Sequence, residues 1–266
     1  MPKIDIDKKR LKEEIGDIDD ESLEREISFL GTDLEEFGEE IEVEIFPDRP
    51  DLLSFEGFAR NLRSFIGNDT GLPTYTAESS EYVVNVDDSV EDVRPKTSCV
   101  VVKDLSLTQQ LVDDIIAIQE NLHVTYGRNR KKCAIGIYPA EQIEFPITYE
   151  ARKPEDISFQ PLGFEKEMSS TDILEEHEAG KKYSHLLENK DKYPVFVDDT
   201  HSILSMPPII NSERVGSVDE QCNTLFIECS GFSQDVLDKA INMLCAALAD
   251  KGATLHELTV SYDEDY

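Results

Sequence analysis

The chain has 266 residues, with 57 Asp and Glu against 26 Lys and Arg, a formal charge of −31. That length suffices for one large domain or two ordinary ones with a substantial core. The acidic balance excludes generic binding to nucleic acid or anionic membrane, which needs clustered cations, and it suits a protein kept soluble in concentrated salt, as from a halophilic source.

The first segment, residues 1–80, reads as a small mixed domain. Residues 7–15 and 21–30 predict two short helices, the second with Leu23, Ile27 and Leu30 on one face. Residues 41–46 alternate apolar and acidic side chains, as a half-buried strand does. Pro47 and Pro50 frame a turn. Ser54 then caps a helix to about Phe65, with Phe55, Phe58, Leu62 and Phe65 at helical spacing. Residues 74–81 read as a linker into a second domain, residues 81–266. There, 82–86 and the apolar run 99–102 predict strands, and Leu111, Ile115, Ile118 and Leu122 mark an amphipathic helix. Further strands are predicted at 134–138, 195–197, 223–229 and 258–262. Further helices are predicted at 171–176 and 235–251, the last ended by Gly252. Interspersed strands and helices give an α/β fold class (α+β layering), a mixed or mostly antiparallel sheet with packed helices.

The five cysteines, Cys99, Cys133, Cys222, Cys229 and Cys245, form no CxxC pair and sit mostly beside apolar residues. They read as buried reduced thiols of a cytoplasmic protein. The five histidines do not join them at metal-ligand spacing, so no metal site is expected. The N-terminus has no apolar core of signal-peptide length, and no run approaches transmembrane length, so no membrane partner is expected.

No GxSxG, HExxH, P-loop or Rossmann glycine pattern occurs, and no catalytic residue is assigned. Cys229 follows Glu228, but successive strand residues point to opposite faces, which makes Cys229 core. The most unusual stretch is Leu204-Ser205-Met206-Pro207-Pro208-Ile209-Ile210-Asn211-Ser212-Glu213. Its adjacent prolines remove two donors and fix two φ angles, which argues against a central strand or helix interior. The residues fit a rigid turn under a hydrophobic lid. They also fit a preformed wall that holds small polar side chains in a dry pocket.

This stretch resembles the editing module of the beta subunit of phenylalanyl-tRNA synthetase, archaeal and eukaryotic type. Other pieces resemble the same family in order along the chain: Phe46-Pro47-Asp48-Arg49-Pro50-Asp51, Gln119-Glu120-Asn121-Leu122-His123, Gly127-Arg128-Asn129-Arg130-Lys131-Lys132, Ala134-Ile135-Gly136-Ile137, Pro161-Leu162-Gly163, Tyr193-Pro194-Val195 and Leu225-Phe226-Ile227-Glu228 with Ser230-Gly231. The family's beta subunit normally continues well beyond this length, so the expectation is an N-terminal portion, either excised or from a split or truncated gene.

The resemblance implies a small N-terminal domain followed by an editing domain that hydrolyses misacylated tyrosyl-tRNA(Phe). It places the editing pocket at Phe196, Ser205, Glu228 and Ser230. Family members commonly carry Leu, Asp and Thr at the first, third and fourth of these, so the departures bear on pocket shape. Arg128, Arg130, Lys131 and Lys132 form the strongest basic cluster, a candidate docking site for tRNA that reads equally as a solvated loop. The implied partners are tRNA(Phe) and the synthetase alpha subunit, in a heterotetramer. The chain itself is expected to need no cofactor, while the whole synthetase is expected to use ATP and magnesium. Two alternatives stand beside editing in cis: a noncatalytic tRNA-docking or assembly module, and a free-standing trans-editing factor.

Overall fold

The computed structural model describes residues 2–262. In chain order the elements are β1 (Lys3–Asp7), α1 (Lys8–Ile15), α2 (Asp20–Phe29), β2 (Asp33–Phe37), β3 (Glu40–Glu44), α3 (Phe55–Phe65), β4 (Ala77–Val86), β5 (Lys96–Lys103), α4 (Gln109–Val124), β6 (Cys133–Pro139) and β7 (Ile147–Arg152). There follow β8 (Ser158–Phe159), β9 (Met168–Ser169), α5 (Ser170–Glu176), α6 (Glu178–Tyr183), β10 (Tyr193–Val197), β11 (Ile203–Met206), β12 (Ile210–Asn211), α7 (Glu213–Gly216), β13 (Leu225–Gly231), α8 (Gln234–Asp250) and β14 (Thr254–Tyr262). Helix starts follow local chemistry. Asp7, Asp19, Ser54 and Thr108 each accept a backbone N–H as N-caps of α1, α2, α3 and α4.

The first three strands form an antiparallel sheet in the order β1-β3-β2. It packs with α1 to α3 around Ile6, Leu11, Ile27, Ile41, Phe58 and Leu62, all buried. The other large sheet has nine strands in the order β12-β11-β10-β7-β4-β14-β5-β13-β6. It is mixed: β4 runs parallel to both β14 and β7, and the remaining pairs are antiparallel. This is the expected α/β layering.

Residue alternation along β5 and β13 sorts the two faces. Val100, Val102, Leu225, Ile227 and Cys229 pack outward with α4 and α8. Val101 and Phe226 point the other way, into a second core with Tyr138, Tyr149, Phe196 and Leu204. The sheet curls around this second core. β6 and β12 are its opposite edges, yet the Tyr138 hydroxyl in β6 lies 3.4 Å from Asn211 Oδ1 in β12. Sheet twist of one hand, accumulated over nine strands, brings the ends together without pairing them.

Two sequence expectations change. Residues 74–81 do not form a continuous linker, because β4 takes up the chain at Ala77 and pairs with Leu255 of β14. The first half of β4 is polar and exposed, so its strand character comes from its neighbour and not from its own pattern. The stretch around Ser205 includes a strand after all. Ile203–Met206 is β11, one position in from the sheet edge, and the prolines turn it back into β12. The Pro207-Pro208 peptide is cis. All five cysteines are free; four are buried and Cys99 is half-buried. Among the described residues no helix is long and apolar enough to cross a membrane.

Polar contacts join the first unit to the large one. Arg10 donates to both oxygens of Asp114, at 2.9 and 2.5 Å, and to Glu56 at 3.2 Å, with its guanidinium over the Phe55 ring. Glu56 is almost fully buried, and desolvation, helped by Asp114, raises its carboxyl to about 6. Removing the arginine strands two carboxylates in a poorly solvated seam. Arg10→Ala should therefore cost about 3 kcal/mol of unfolding free energy in urea titrations. A cost below about 0.5 kcal/mol would mean the seam behaves as an ordinary surface ion pair.

Candidate functional site

Two rows of side chains face each other where the sheet curls back. Strand register places Tyr149, Phe196, Ser205 and Asn211 side by side across β7, β10, β11 and β12. At the other end of the sheet, Cys99, Glu228 and Gly136 are side by side across β5, β13 and β6. A cavity of about 260 Å³ lies between the ends, lined by Ser205, Asn211 and Glu228. Its apolar walls come from α4 (Val112, Ile115), from Ile135 and Ile137 of β6, and from the Pro207-Pro208-Ile209 turn. Gln119, Glu120, His123 and Arg130 add polar groups to the lining. The size is near the lower end of ligand pockets, the scale of a single amino acid.

Residues of the cavity wall hold unmet hydrogen-bonding capacity. Ser205 Oγ, Glu228 Oε2 and Arg130 Nε are buried without a partner. Buried polar atoms are ordinarily paired, and each unpaired one costs about 1–3 kcal/mol. Glu228 is 2% exposed, and burial lifts its carboxyl to about 8, against the opposing effects of the Tyr138 hydrogen bond and the Arg94 charge. At neutral pH it is mostly the neutral acid, able to donate as well as accept.

A second polar group fixes the wall. Arg130 Nη1 donates to the Ile209 carbonyl at 2.9 Å and the Pro208 carbonyl at 3.3 Å, and Nη2 to Glu120 at 2.9 Å. Its guanidinium lies 4.4 Å from the centre of the Tyr183 ring. His123 accepts the Ile135 N–H at its Nε2 and so presents Nδ1–H to Glu120, 2.9 Å away. The hydrogen bond from His123 first, and the Arg130 charge with it, hold Glu120 down at about 2, while burial keeps the His123 pKa low. Both ring nitrogens of His123 are thus engaged, and Glu120 is an ionised brace.

The four residues assigned to the pocket by resemblance come to the same region in different ways. Ser205 and Glu228 line the cavity. Phe196 is directly across from Ser205 on β10 and stacks on Tyr149, with ring centroids 4.3 Å apart, behind the cavity lining. Ser230 shares a strand face with Glu228 but is held by the buried Arg94, whose Nε donates to its Oγ at 3.1 Å. Of the basic cluster, Arg130 lines the cavity and is occupied as described, whereas Arg128, Lys131 and Lys132 are exposed. Arg128, Asn129 and Arg130 share left-handed φ angles of 50°, 53° and 64°, so this loop is a shaped turn. Asn211, Tyr138, Gln119 and Glu120 escape sequence reasoning as site residues. Asn211 carried a signal, since it closes the diproline stretch. Tyr138 carried none, because a tyrosine in an apolar strand reads as core. The described carboxylates close enough to share a cation, Asp33, Glu35 and Glu44, are on the surface of the first sheet, with Lys3 Nζ 3.4 Å from Glu35.

Comparison with known proteins agrees with this architecture. The chain is 41% identical over 265 residues to the phenylalanine–tRNA ligase beta subunit of Archaeoglobus fulgidus, covering 99% of the chain and 48% of that subunit. It is 36% identical over 264 residues to the corresponding subunit of Methanosphaera stadtmanae, covering 98% of the chain and 47% of the subunit. The crystal structure of an N-terminal fragment of the phenylalanyl-tRNA synthetase beta subunit from Pyrococcus horikoshii superposes with a TM-score of 0.92 at 34% identity, covering 98% of this chain and 77% of that one. No family model matches the chain. The chain spans about half the length of the curated relatives it matches. Fold and sequence define a module of an aminoacyl-tRNA ligase subunit. The chain belongs to the phenylalanine–tRNA ligase beta-subunit family and corresponds to its N-terminal part.

The Glu228 carboxyl gives stability a pH signature. Its folded value near 8 exceeds the ordinary 4.5, so between these values the folded chain holds a proton that the unfolded chain releases. The stabilising contribution is complete below about pH 4.5 and is lost as pH rises through about 8, by at most about 1.4 kcal/mol per pH unit. Glu228→Gln should therefore lose less stability than the parent between pH 5 and 8 in urea titrations. Parallel pH profiles would show that the carboxyl is already ionised at neutral pH.

Proposed function

We propose that the cavity is an editing site that hydrolyses tyrosyl-tRNA(Phe) and spares phenylalanyl-tRNA(Phe). The carrying observation is the pair of buried, unpartnered oxygens, Ser205 Oγ and Glu228 Oε2, in wall residues of a largely apolar cavity on a chain of this family. A pocket that selects phenylalanine by its ring cannot strongly reject an isostere that only adds a hydroxyl. A second site can select for that hydroxyl. A tyrosine phenol entering here pairs with the carboxyl of Glu228 and the hydroxyl of Ser205. A phenylalanine ring fills the same volume and leaves both oxygens stranded, a penalty of about 1–3 kcal/mol for each. Val112, Ile115, Ile137 and the diproline turn supply the apolar grip on the ring.

The reaction is ester hydrolysis. Water attacks the aminoacyl carbonyl, the bond to the ribose oxygen breaks, and a proton passes to that oxygen. The side chains assign no base to this step, since His123 and Glu120 engage each other and Arg130. Positioning of the ester and water carries the rate in this reading. The macromolecular substrate is tRNA(Phe), received in a cytoplasmic setting, with the alpha subunit as the partner in aminoacylation. ATP and magnesium belong to that other reaction, and none is required here.

With purified chain, tyrosyl-tRNA(Phe) should be deacylated well above the spontaneous rate and phenylalanyl-tRNA(Phe) should not. Glu228→Ala should slow hydrolysis of the tyrosyl ester roughly tenfold or more, the worth of one buried hydrogen bond. No deacylation of either ester by the parent would favour a noncatalytic docking module.

Exposed Arg128, Lys131 and Lys132 adjoin Arg130 on the cavity lining, a local cationic edge on a strongly acidic chain. Replacing the three with Gln should weaken tRNA binding and reduce the slope of log affinity against log salt by about 2–3. An unchanged slope would assign them to a solvated loop.

A further inference from the structure

Three strands converge on one hydroxyl deep in the sheet. Tyr138 of β6 donates to Glu228 Oε1 of β13 at 3.1 Å and lies 3.4 Å from Asn211 Oδ1 of β12. Its ring is fully buried and stacks against Phe226, with centroids 5.8 Å apart. A phenol carries one proton, and the shorter contact takes it. The consequence is an asymmetric carboxyl: Oε1 is engaged from inside the sheet, while Oε2 remains buried and unpartnered in a residue of the cavity wall.

This arrangement needs space at one neighbouring position. Gly136 is paired with Glu228 across β6 and β13. A Cβ there would stand 2.5 Å from Glu228 Oε1 and nearer still to the Tyr138 hydroxyl, closer than real Cβ atoms approach. Backbone φ is not the reason for this glycine. The Tyr138–Glu228 contact fills the volume a side chain would take. Local pattern gives neither Gly136 nor Tyr138 a site role, since both belong to a continuous buried strand.

We infer that Tyr138 is a specificity-determining positioning residue, whose hydroxyl anchors Glu228 Oε1 and so leaves Oε2 facing the place of a substrate phenol, with Gly136 keeping that contact open. The inference rests on the proposed editing activity. The protein's own phenol holds one carboxyl oxygen so that the other can test for a second phenol. Without the Tyr138 hydroxyl the carboxyl has two unpartnered oxygens and no fixed rotation about its terminal bond, whose preference is intrinsically broad. It can turn away, and the penalty that rejects phenylalanine falls. Tyr138 stays protonated, because burial first and the neighbouring Glu228 next push its own titration well above the usual phenol range, against a weaker opposing influence of the Ser205 hydroxyl, which makes no hydrogen bond of normal geometry.

The test uses Tyr138→Phe, which keeps the ring and removes one oxygen, and Gly136→Ala, which displaces the contact by bulk. The readouts are kcat/KM for tyrosyl- and phenylalanyl-tRNA(Phe), and the Glu228 titration followed by carboxyl-carbon NMR. Tyr138→Phe should reduce the tyrosyl-to-phenylalanyl ratio roughly tenfold and shift the Glu228 titration upward from about 8, since the lost hydrogen bond favoured the ionised form. Gly136→Ala should reduce the same ratio. A parental ratio and an unmoved titration in Tyr138→Phe would overturn the inference. A parent that hydrolyses neither ester defeats the editing reading instead, and the titration then still decides whether Tyr138 anchors the carboxyl.

Discussion

The curl of the nine-stranded sheet is the constraint on which the pocket depends. Glu228 is on the strand next to one edge and Ser205 on the strand next to the other, with five strands between them. A flat sheet would hold them far apart. The second core, built by Val101, Tyr149, Phe196, Phe226 and their neighbours, fills the inside of the curl. It sets the distance across which the two rows meet. The aromatic content of that core therefore bears on the shape of the proposed site. The stacked Tyr149 and Phe196 support the row that ends in Ser205 and Asn211.

Hydrogen-bond accounting separates support from site. Arg94, Glu120 and His123 are buried or half-buried polar groups whose main capacities are met within the chain. Arg130 is spent largely on backbone carbonyls of the diproline turn, so it ties the loop after α4 to the opposite edge of the sheet. That explains why a basic cluster on an acidic chain divides in two. One cation holds the wall together, and three remain at the surface. Arg130 Nε, Ser205 Oγ and Glu228 Oε2 are left without partners in residues of the cavity wall, and the two oxygens are the ones that the proposed phenol would pair. The same burial that leaves Oε2 empty also raises the carboxyl toward neutrality, so emptiness costs less than a stranded charge would.

The helices were the most legible part of the chain. α3, α4 and α8 carry strong apolar periodicity and, for α3, a readable serine cap, and each forms within a residue or two of its expected span. Central strands with apolar runs, β5, β6 and β13, were legible for the same reason. Strands defined by their neighbours were not. The first half of β4 is polar, β12 has two residues, and β11 precedes a diproline that argues against sheet structure. Even β7, whose Ile147, Tyr149 and Ala151 alternate cleanly inward, is easily passed over between loops. At the site, Ser205 and Glu228 stood out through an ordered resemblance and not through local chemistry. A glutamate between Ile227 and Cys229 fits an exposed edge strand as well as a buried one, and it is the pairing of β13 with both β5 and β6 that buries it. Gly136 was read only as part of a resembling motif and Tyr138 only as a strand residue, because the contacts that they make exist only across strands.

In the proposed site one chemical group, a ligand phenol, belongs at one spot. A crystal structure of the chain with tyrosine bound tests that most directly. The account predicts the ring between α4 and the diproline turn, with its hydroxyl within hydrogen-bond distance of both Ser205 Oγ and Glu228 Oε2 and with the Tyr138–Glu228 contact retained. A tyrosine bound elsewhere, or one seated in the cavity with its hydroxyl away from residues 205 and 228, would contradict it.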